Sequence, residues 1–296
     1  QRIAQRSREA EHRLLVAEKL AAMALVDAGR PARAGAFDEA WHGELLSQHH
    51  DCWIVPYNGR TGNTWADQVR RWTNVANAVS ELTVQTSVEA LVRGGEGRWV
   101  RLFNPTGAAL DAVVPVPIPR TDQPSRMVSL EAGGRRFATQ VVASDAPGQS
   151  ALLVRAHVPP MGYSTVELRD DVAAEGTPVS ASTTDGIVVL ESDLYRIEFD
   201  PAKGGTIRSL VAKGLGEREF VDAKSERRFN ELRGHFYEQG GFHSSADQAA
   251  EVRIVESGPL RATVEISGQI AGHPFVQRVS ISQGSPVIDC APSGTR

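Results

Sequence analysis

Leu45-Leu46-Ser47-Gln48-His49-His50-Asp51-Cys52-Trp53 is the stretch on which the reading of this chain turns. Two imidazoles and a carboxylate follow one another where an apolar helical pattern ends. The chain then enters an aromatic loop with Gly and Asn, from Trp53 to Asn63. Imidazole and carboxylate together suit zinc and its neighbours. A plainer reading has His49 capping a helix C-terminus and Asp51 capping the next turn.

Working back from the His pair, Phe37, Trp41, Leu45 and His49 lie four apart, which predicts a helix over 37–50 with these residues stacked on one face. That stripe would hold the His pair rigidly at the helix end. Asp38 and Glu39 suit the positive end of the helix dipole, and His42 points elsewhere. Further back, Ile3, Ala10, Leu14, Ala17, Ala21, Ala24 and Ala28 make an amphipathic stripe over 1–28, stopped by Gly29 and Pro31. Arg6, Arg8, Glu9, Glu11 and Arg13 form a charged face that reads as solvated. Forward of the pair, Thr64 and Asp67 open a capping box for a third helix over 64–92, through Trp65, Val69, Trp72, Ala76 and Val79. Trp72 reads as core. Trp53 and Tyr57 fall in the loop, where an aromatic face can stack on the apolar side of a sugar ring.

After Gly94-Gly95 the period changes from 3.6 to 2. Strands are predicted at 98–103, 137–143, 152–158, 164–168, 187–190, 195–199, 207–211, 252–256, 261–266 and 275–281. The prolines of Val113-Val114-Pro115-Val116-Pro117-Ile118-Pro119 confine that segment to a sheet edge or a surface. The fold expected is α then β: a three-helix bundle followed by antiparallel β-sandwich structure. The domains expected are 1–93 helical, 94–170 a first β region, 171–185 a connection, and 186–296 a C-terminal β-sandwich cut short.

At 296 residues and a net charge of −4, the chain is soluble and globular in composition, and its charge argues against binding a nucleic-acid backbone. No apolar run nears the roughly 20 residues of a membrane span. Two distant cysteines, Cys52 and Cys290, make no disulfide framework, and the compartment stays open. Both ends read as internal to a longer polypeptide. No phosphate loop, dinucleotide fingerprint or nucleophile elbow occurs.

With these segments in order, the chain resembles the alpha-mannosidases of glycoside hydrolase family 38. Gln48-His49-His50-Asp51 is similar to the family's helix-end motif of Gln, an aromatic or His, then His-Asp. Arg101-Leu102-Phe103-Asn104-Pro105 resembles the strand that opens the family's β half. Leu194-Tyr195-Arg196-Ile197-Glu198-Phe199-Asp200, Ile207-Arg208-Ser209-Leu210, Asn230-Glu231-Leu232 and Glu256-Ser257-Gly258-Pro259-Leu260 resemble its C-terminal domain. The resemblance implies that His50 ligates a catalytic zinc and that Asp51 binds mannose hydroxyls. His49 falls at a variable position and takes a supporting or structural role. Trp53 and Tyr57 become candidates for sugar contact. The loop 52–58 departs from the Gly-Thr that many members carry there.

The family's nucleophile, acid/base and remaining zinc ligands lie in an N-terminal barrel with no counterpart here. The resemblance therefore implies part of a retaining, zinc-dependent glycosidase acting on mannose-containing glycans, inactive without the rest of its polypeptide. In such an enzyme two carboxyl groups about 5–5.5 Å apart do the covalent chemistry. Two other readings stand beside this one. The chain could be a non-catalytic β-sandwich module binding carbohydrate or protein, with the helices as a spacer, or an independent metal-binding domain built on His49, His50 and Asp51.

Overall fold

The computed structural model describes residues 2–92, 98–119, 127–130, 134–144, 147–170 and 175–293. The Gly94-Gly95 switch, residues 171–174 of the expected connection and the last three residues lie outside the described residues. The chain divides into two compact units, one of Gln1–Gly97 with Arg101–Leu110 and Val158–Tyr163, the other of Arg98–Val100, Asp111–His157 and Ser164–Arg296.

The first unit is helical. It holds α1 (Arg2–Ala28), α2 (Ala34–Ser47), α3 (His50–Ile54) and α4 (Trp65–Leu91), with a hairpin of two-residue strands, β1 (Gly59–Arg60) and β2 (Asn63–Thr64), between α3 and α4. Ala10, Leu14, Ala17 and Ala21 of α1 bury against Phe37 and Ala40 of α2 and Ala76 of α4. The alanines let the backbones approach closely, and a buried leucine such as Leu14 contributes about 1.5–3 kcal/mol. Gly43 serves the same end, since a Cβ there would stand 3.3 Å from Trp72 Cβ. The capping box at α4 is present, with Asp67 N–H donating to Thr64 Oγ1 at 3.3 Å and Thr64 N–H to Asp67 Oδ2 at 3.1 Å. Part of the charged face expected in solvent is tied down: Arg6 donates to Thr73 Oγ1 and Asn74 Oδ1 on α4.

The second helix differs from expectation in both bounds and buried face. It starts three residues earlier, so Asp38 and Glu39 fall beyond its first turn. It buries Phe37, Ala40, Gly43, Glu44 and Ser47, while Leu45 is 63% exposed and Leu46 is exposed as well. The cause is geometric. A strict four-residue spacing advances about 400°, so each step drifts roughly 40° away from the packed face. Spacings that alternate three and four stay on that face, and Phe37, Ala40, Glu44 and Ser47 do so.

The second unit is antiparallel throughout its described ladders. β3 (Trp99–Asn104) falls mostly in the first unit, and β4 (Leu110–Pro119) is an edge strand, the position that its prolines allow. β5 (Met127–Leu130) pairs with β6 (Arg136–Ala138) on one side and with β9 (Gly162–Asp170) on the other. β7 (Gln140–Ala143) pairs with β8 (Gln149–Val158), which lies between it and β4 and is buried almost end to end.

The C-terminal part is a sandwich. One sheet runs β10 (Ser180–Thr184), β11 (Ile187–Glu191), β12 (Tyr195–Asp200), β13 (Thr206–Ala212), β14 (Arg218–Glu219). A small hairpin follows, β15 (Arg233–His235) with β16 (Phe242–Ser244). The other sheet runs β17 (Glu251–Ser257), β18 (Arg261–Ile270), β19 (His273–Ser282), β20 (Ile288–Ser293). Leu190, Ile197, Phe199 and Ile207 of the first face Val264, Ile266, Val279 and Ile281 of the second in one core. β10 lies inside the connection expected at 171–185, because a polar strand of Ser, Ala and Thr carries no apolar alternation to read. Helix beyond residue 185 is limited among the described residues to three single 3-10 turns.

Candidate functional site

The stretch 45–53 does not run on as helix to the His pair. Gln48 N–H closes on Leu45 O at 3.3 Å and His49 N–H on Leu46 O at 3.2 Å, which tightens the last turn of α2. His49 then turns extended, at φ −60 and ψ 132, and becomes the N-cap of α3. Its Nδ1 accepts the backbone N–H of Asp51 at 3.3 Å. The expected C-terminal capping role is thereby replaced by an N-terminal one. The bond fixes Nδ1 as an acceptor, so a neutral His49 carries its proton on Nε2.

His50 and Asp51 open α3. His50 Nε2 lies 3.3 Å from Asp51 Oδ1, with the imidazole 74% and the carboxylate 42% exposed. The two imidazole rings stand 4.6 Å apart, and His49 also lies 6.3 Å from the Trp65 ring. His49, His50 and Asp51 bring one donor atom each within 4.8 Å of one another. His49 and Asp51 themselves stand in His-x-Asp spacing, although the cap occupies Nδ1 of that histidine.

The donor set fits a zinc ion in part. Two donors on one tetrahedral ion at about 2.1 Å stand roughly 3.4 Å apart, close to the separation of His50 Nε2 and Asp51 Oδ1. An exposed imidazole beside a carboxylate is a suitable half of such a site, and further ligands must come from outside these three residues. Cys52 adds none: it is buried, its Sγ faces Leu46 O at 3.8 Å, and burial, then the Asp51 charge, push its thiol pKa up.

Trp53 and Tyr57 separate. Trp53 lies in α3 and not in a loop, with its indole N–H donating to Ser47 O at 2.9 Å and the Arg8 guanidinium 5.8 Å from its ring centre. Tyr57 is 80% exposed. Sequence reasoning missed a feature of α2. Glu44 is fully buried, and its Oε1 accepts from Ser7 Oγ at 3.0 Å and Ser47 Oγ at 3.2 Å. Burial pushes the Glu44 carboxyl above its ordinary value, against the lowering hydrogen bonds of Ser7, Ser47 and Gln48. The signal was present in the alternating spacing of Phe37, Ala40, Glu44 and Ser47.

No family model matches the sequence, and no curated protein does. Solved structures do. A glycosyl hydrolase family 38 protein from Enterococcus faecalis superposes with a TM-score of 0.65 at 15% identity, over 97% of this chain and 42% of its own. The chain has the fold of that part of a family 38 glycosyl hydrolase. An alpha-mannosidase from Enterococcus faecalis V583 gives a TM-score of 0.64 at 15% identity, over 96% of this chain and 40% of its own. The chain thus spans about two fifths of the length of these family 38 structures. The fold class expected from the sequence, helices followed by antiparallel β domains, is borne out. No described helix is long and apolar enough to cross a membrane.

Proposed function

We propose that this chain is the part of a retaining, zinc-dependent alpha-mannosidase that supplies one metal ligand and one sugar-binding carboxylate. The observation that carries this reading is the exposed His50–Asp51 pair, 3.3 Å apart at the mouth of a short helix, on a fold shared with a solved alpha-mannosidase. His50 would present Nε2 as the ligand, and His49, held by its cap, would keep the turn in shape behind it. Asp51 would accept hydrogen bonds from mannose hydroxyls. Tyr57 offers an open aromatic face to a sugar ring, whereas Trp53 has its N–H turned back to Ser47. Zinc, when bound, supplies Lewis-acid polarisation of substrate oxygens.

The substrate class on this reading is mannose-containing glycans, and the partner is the remainder of a longer polypeptide carrying the nucleophile, the acid/base and the other ligands. The test is release of nitrophenol from 4-nitrophenyl α-mannoside. Activity is expected from a polypeptide extended upstream of this chain, abolished by chelator and lowered by His50→Ala. An extended protein that binds zinc at His50 yet leaves α-mannosides intact would end the proposal.

The second reading, a non-catalytic glycan-binding module, is favoured by one observation. On the β15–β16 hairpin, Tyr237 is 90% and Phe242 67% exposed, and the His235 ring lies 4.8 Å and 5.0 Å from theirs. Glycan binding by the chain alone, unaffected by chelator, would select it.

A further inference from the structure

Glu44 is a costly residue to keep. It is fully buried, and its Oε2 meets no donor among the described residues. An ionisable group left half-satisfied in an apolar bundle lowers stability, and a well-packed apolar side chain in its place is often neutral or stabilising. Its other oxygen gathers a compact network. Ser7 Oγ of α1 and Ser47 Oγ of α2 both reach Oε1, and lie 2.7 Å from each other. Ser47 Oγ also stands 2.8 Å from the Glu44 carbonyl. On the far side of the same residue, the Ser47 carbonyl accepts the Trp53 indole N–H at 2.9 Å. Ser47 is therefore held by its side chain to α1 and by its carbonyl to α3. The residues between its two anchors include His49, His50 and Asp51.

We propose that Glu44 is a positioning residue, which with Ser7, Ser47 and Trp53 fixes the turn that presents His50 Nε2 and Asp51 Oδ1. The proposal rests on the reading of that pair as the working groups of the site. It gives the buried carboxyl a role in the shape of the α2–α3 turn rather than in the stability of the bundle. An apolar replacement keeps the packing but removes the acceptor that both hydroxyls share, leaving Ser7 and Ser47 only their contact with each other.

The test uses the chain within a polypeptide that carries the remaining ligands, and four variants, Glu44→Leu, Glu44→Gln, Ser7→Ala and His50→Ala. Three readouts are compared: thermal midpoint, the Trp53 indole and His50 imidazole signals in NMR spectra, and the affinity for Zn²⁺ alone. Glu44→Leu should keep or raise the midpoint, yet shift or broaden the Trp53 and His50 signals and weaken Zn²⁺ binding about 10- to 100-fold, the range for residues that orient a ligand. Glu44→Gln, which retains an acceptor oxygen, should stay within about twofold of the parent, by the same reasoning. Ser7→Ala should move the same signals, and serves if Glu44→Leu does not fold. Unmoved Trp53 and His50 signals in folded Glu44→Leu or Ser7→Ala overturn the proposal. So does a fall in midpoint with those signals and Zn²⁺ affinity intact, which marks a purely structural role. Loss of Zn²⁺ binding in His50→Ala, with none in Glu44→Leu, sinks the positioning role alone. Zn²⁺ binding that survives His50→Ala sinks the functional reading of the pair, while the Trp53 and His50 signals still decide what Glu44 holds in place.

Discussion

The indole N–H of Trp53 donates to the carbonyl of Ser47 at 2.9 Å. This bond closes the span that carries His49, His50 and Asp51. The buried Cys52 anchors the short helix α3 from its other side. The three residues are thus presented from a turn closed at both ends, with His50 Nε2 3.3 Å from Asp51 Oδ1.

That separation allows two roles for Asp51, and substitutions separate them in a polypeptide that carries the remaining ligands. His50→Ala should lower bound metal and activity together, with partial rescue by excess zinc. If Asp51 holds sugar hydroxyls, Asp51→Asn should keep its metal and lose about tenfold to 150-fold in kcat/KM, the equivalent of a charge-assisted hydrogen bond of roughly 1.5–3 kcal/mol. Metal analysis beside kinetics decides it. Metal lost from Asp51→Asn would make the carboxylate a ligand, and full activity would leave it a turn former only.

The chain by itself should not hydrolyse α-mannosides, because under the proposed function its nucleophile and acid/base lie elsewhere. Nitrophenol release by the purified chain, sensitive to chelator and free of contaminating enzyme, is the result that would contradict this.

Glu44 should leave a mark on stability against pH. Its folded pKa is raised above the ordinary 4.5, chiefly by desolvation. The folded state therefore holds this proton more tightly than the unfolded chain does. The contribution is fully present below about 4.5 and is lost as pH rises through the folded value. Glu44→Gln removes this dependence. The difference in unfolding free energy between parent and Glu44→Gln, from urea titrations at pH 4 and pH 7, should shift in favour of the variant at the higher pH. An unchanged difference would mean that Glu44 ionises as freely as in the unfolded chain.

In the C-terminal sandwich, Gly205 has φ +68, and a Cβ there would stand 2.4 Å from Ile266 Cγ2. Gly205→Ala meets both the backbone penalty and overpacking of the core, and should cost about 2–4 kcal/mol. Urea unfolding measures it, and a loss below about 0.5 kcal/mol, the scale of ordinary surface substitutions, would show that the turn can rearrange.

Much of this was legible from local pattern. The capping box of Thr64 and Asp67, the alanine stripe of α1 and the longer apolar strands of the second unit follow from periodicity and terminal chemistry, which act over a few residues, whereas the short strands β5, β14, β15 and β16 do not. The proline-rich edge strand followed from the donor that proline lacks. Less legible was β10, whose polar residues carry no alternation, and the true buried face of α2, hidden behind a four-residue spacing that drifts off the core.

The sequence by itself determined that an imidazole and a carboxylate stand next to each other after a helix, since adjacent residues cannot be far apart. It also determined the order of helical and β segments, because each has its own period. Only the tertiary structure decided that α2 stops at Ser47, that His49 turns back to cap α3, and that Glu44 is buried against Ser7 of α1. The reason is physical. Burial and the closing of a turn depend on partners distant in sequence, as Ser7 is from Glu44 and Gln140 from Leu260, whose N–H it accepts at 3.0 Å. A local pattern carries no record of which distant donor will arrive.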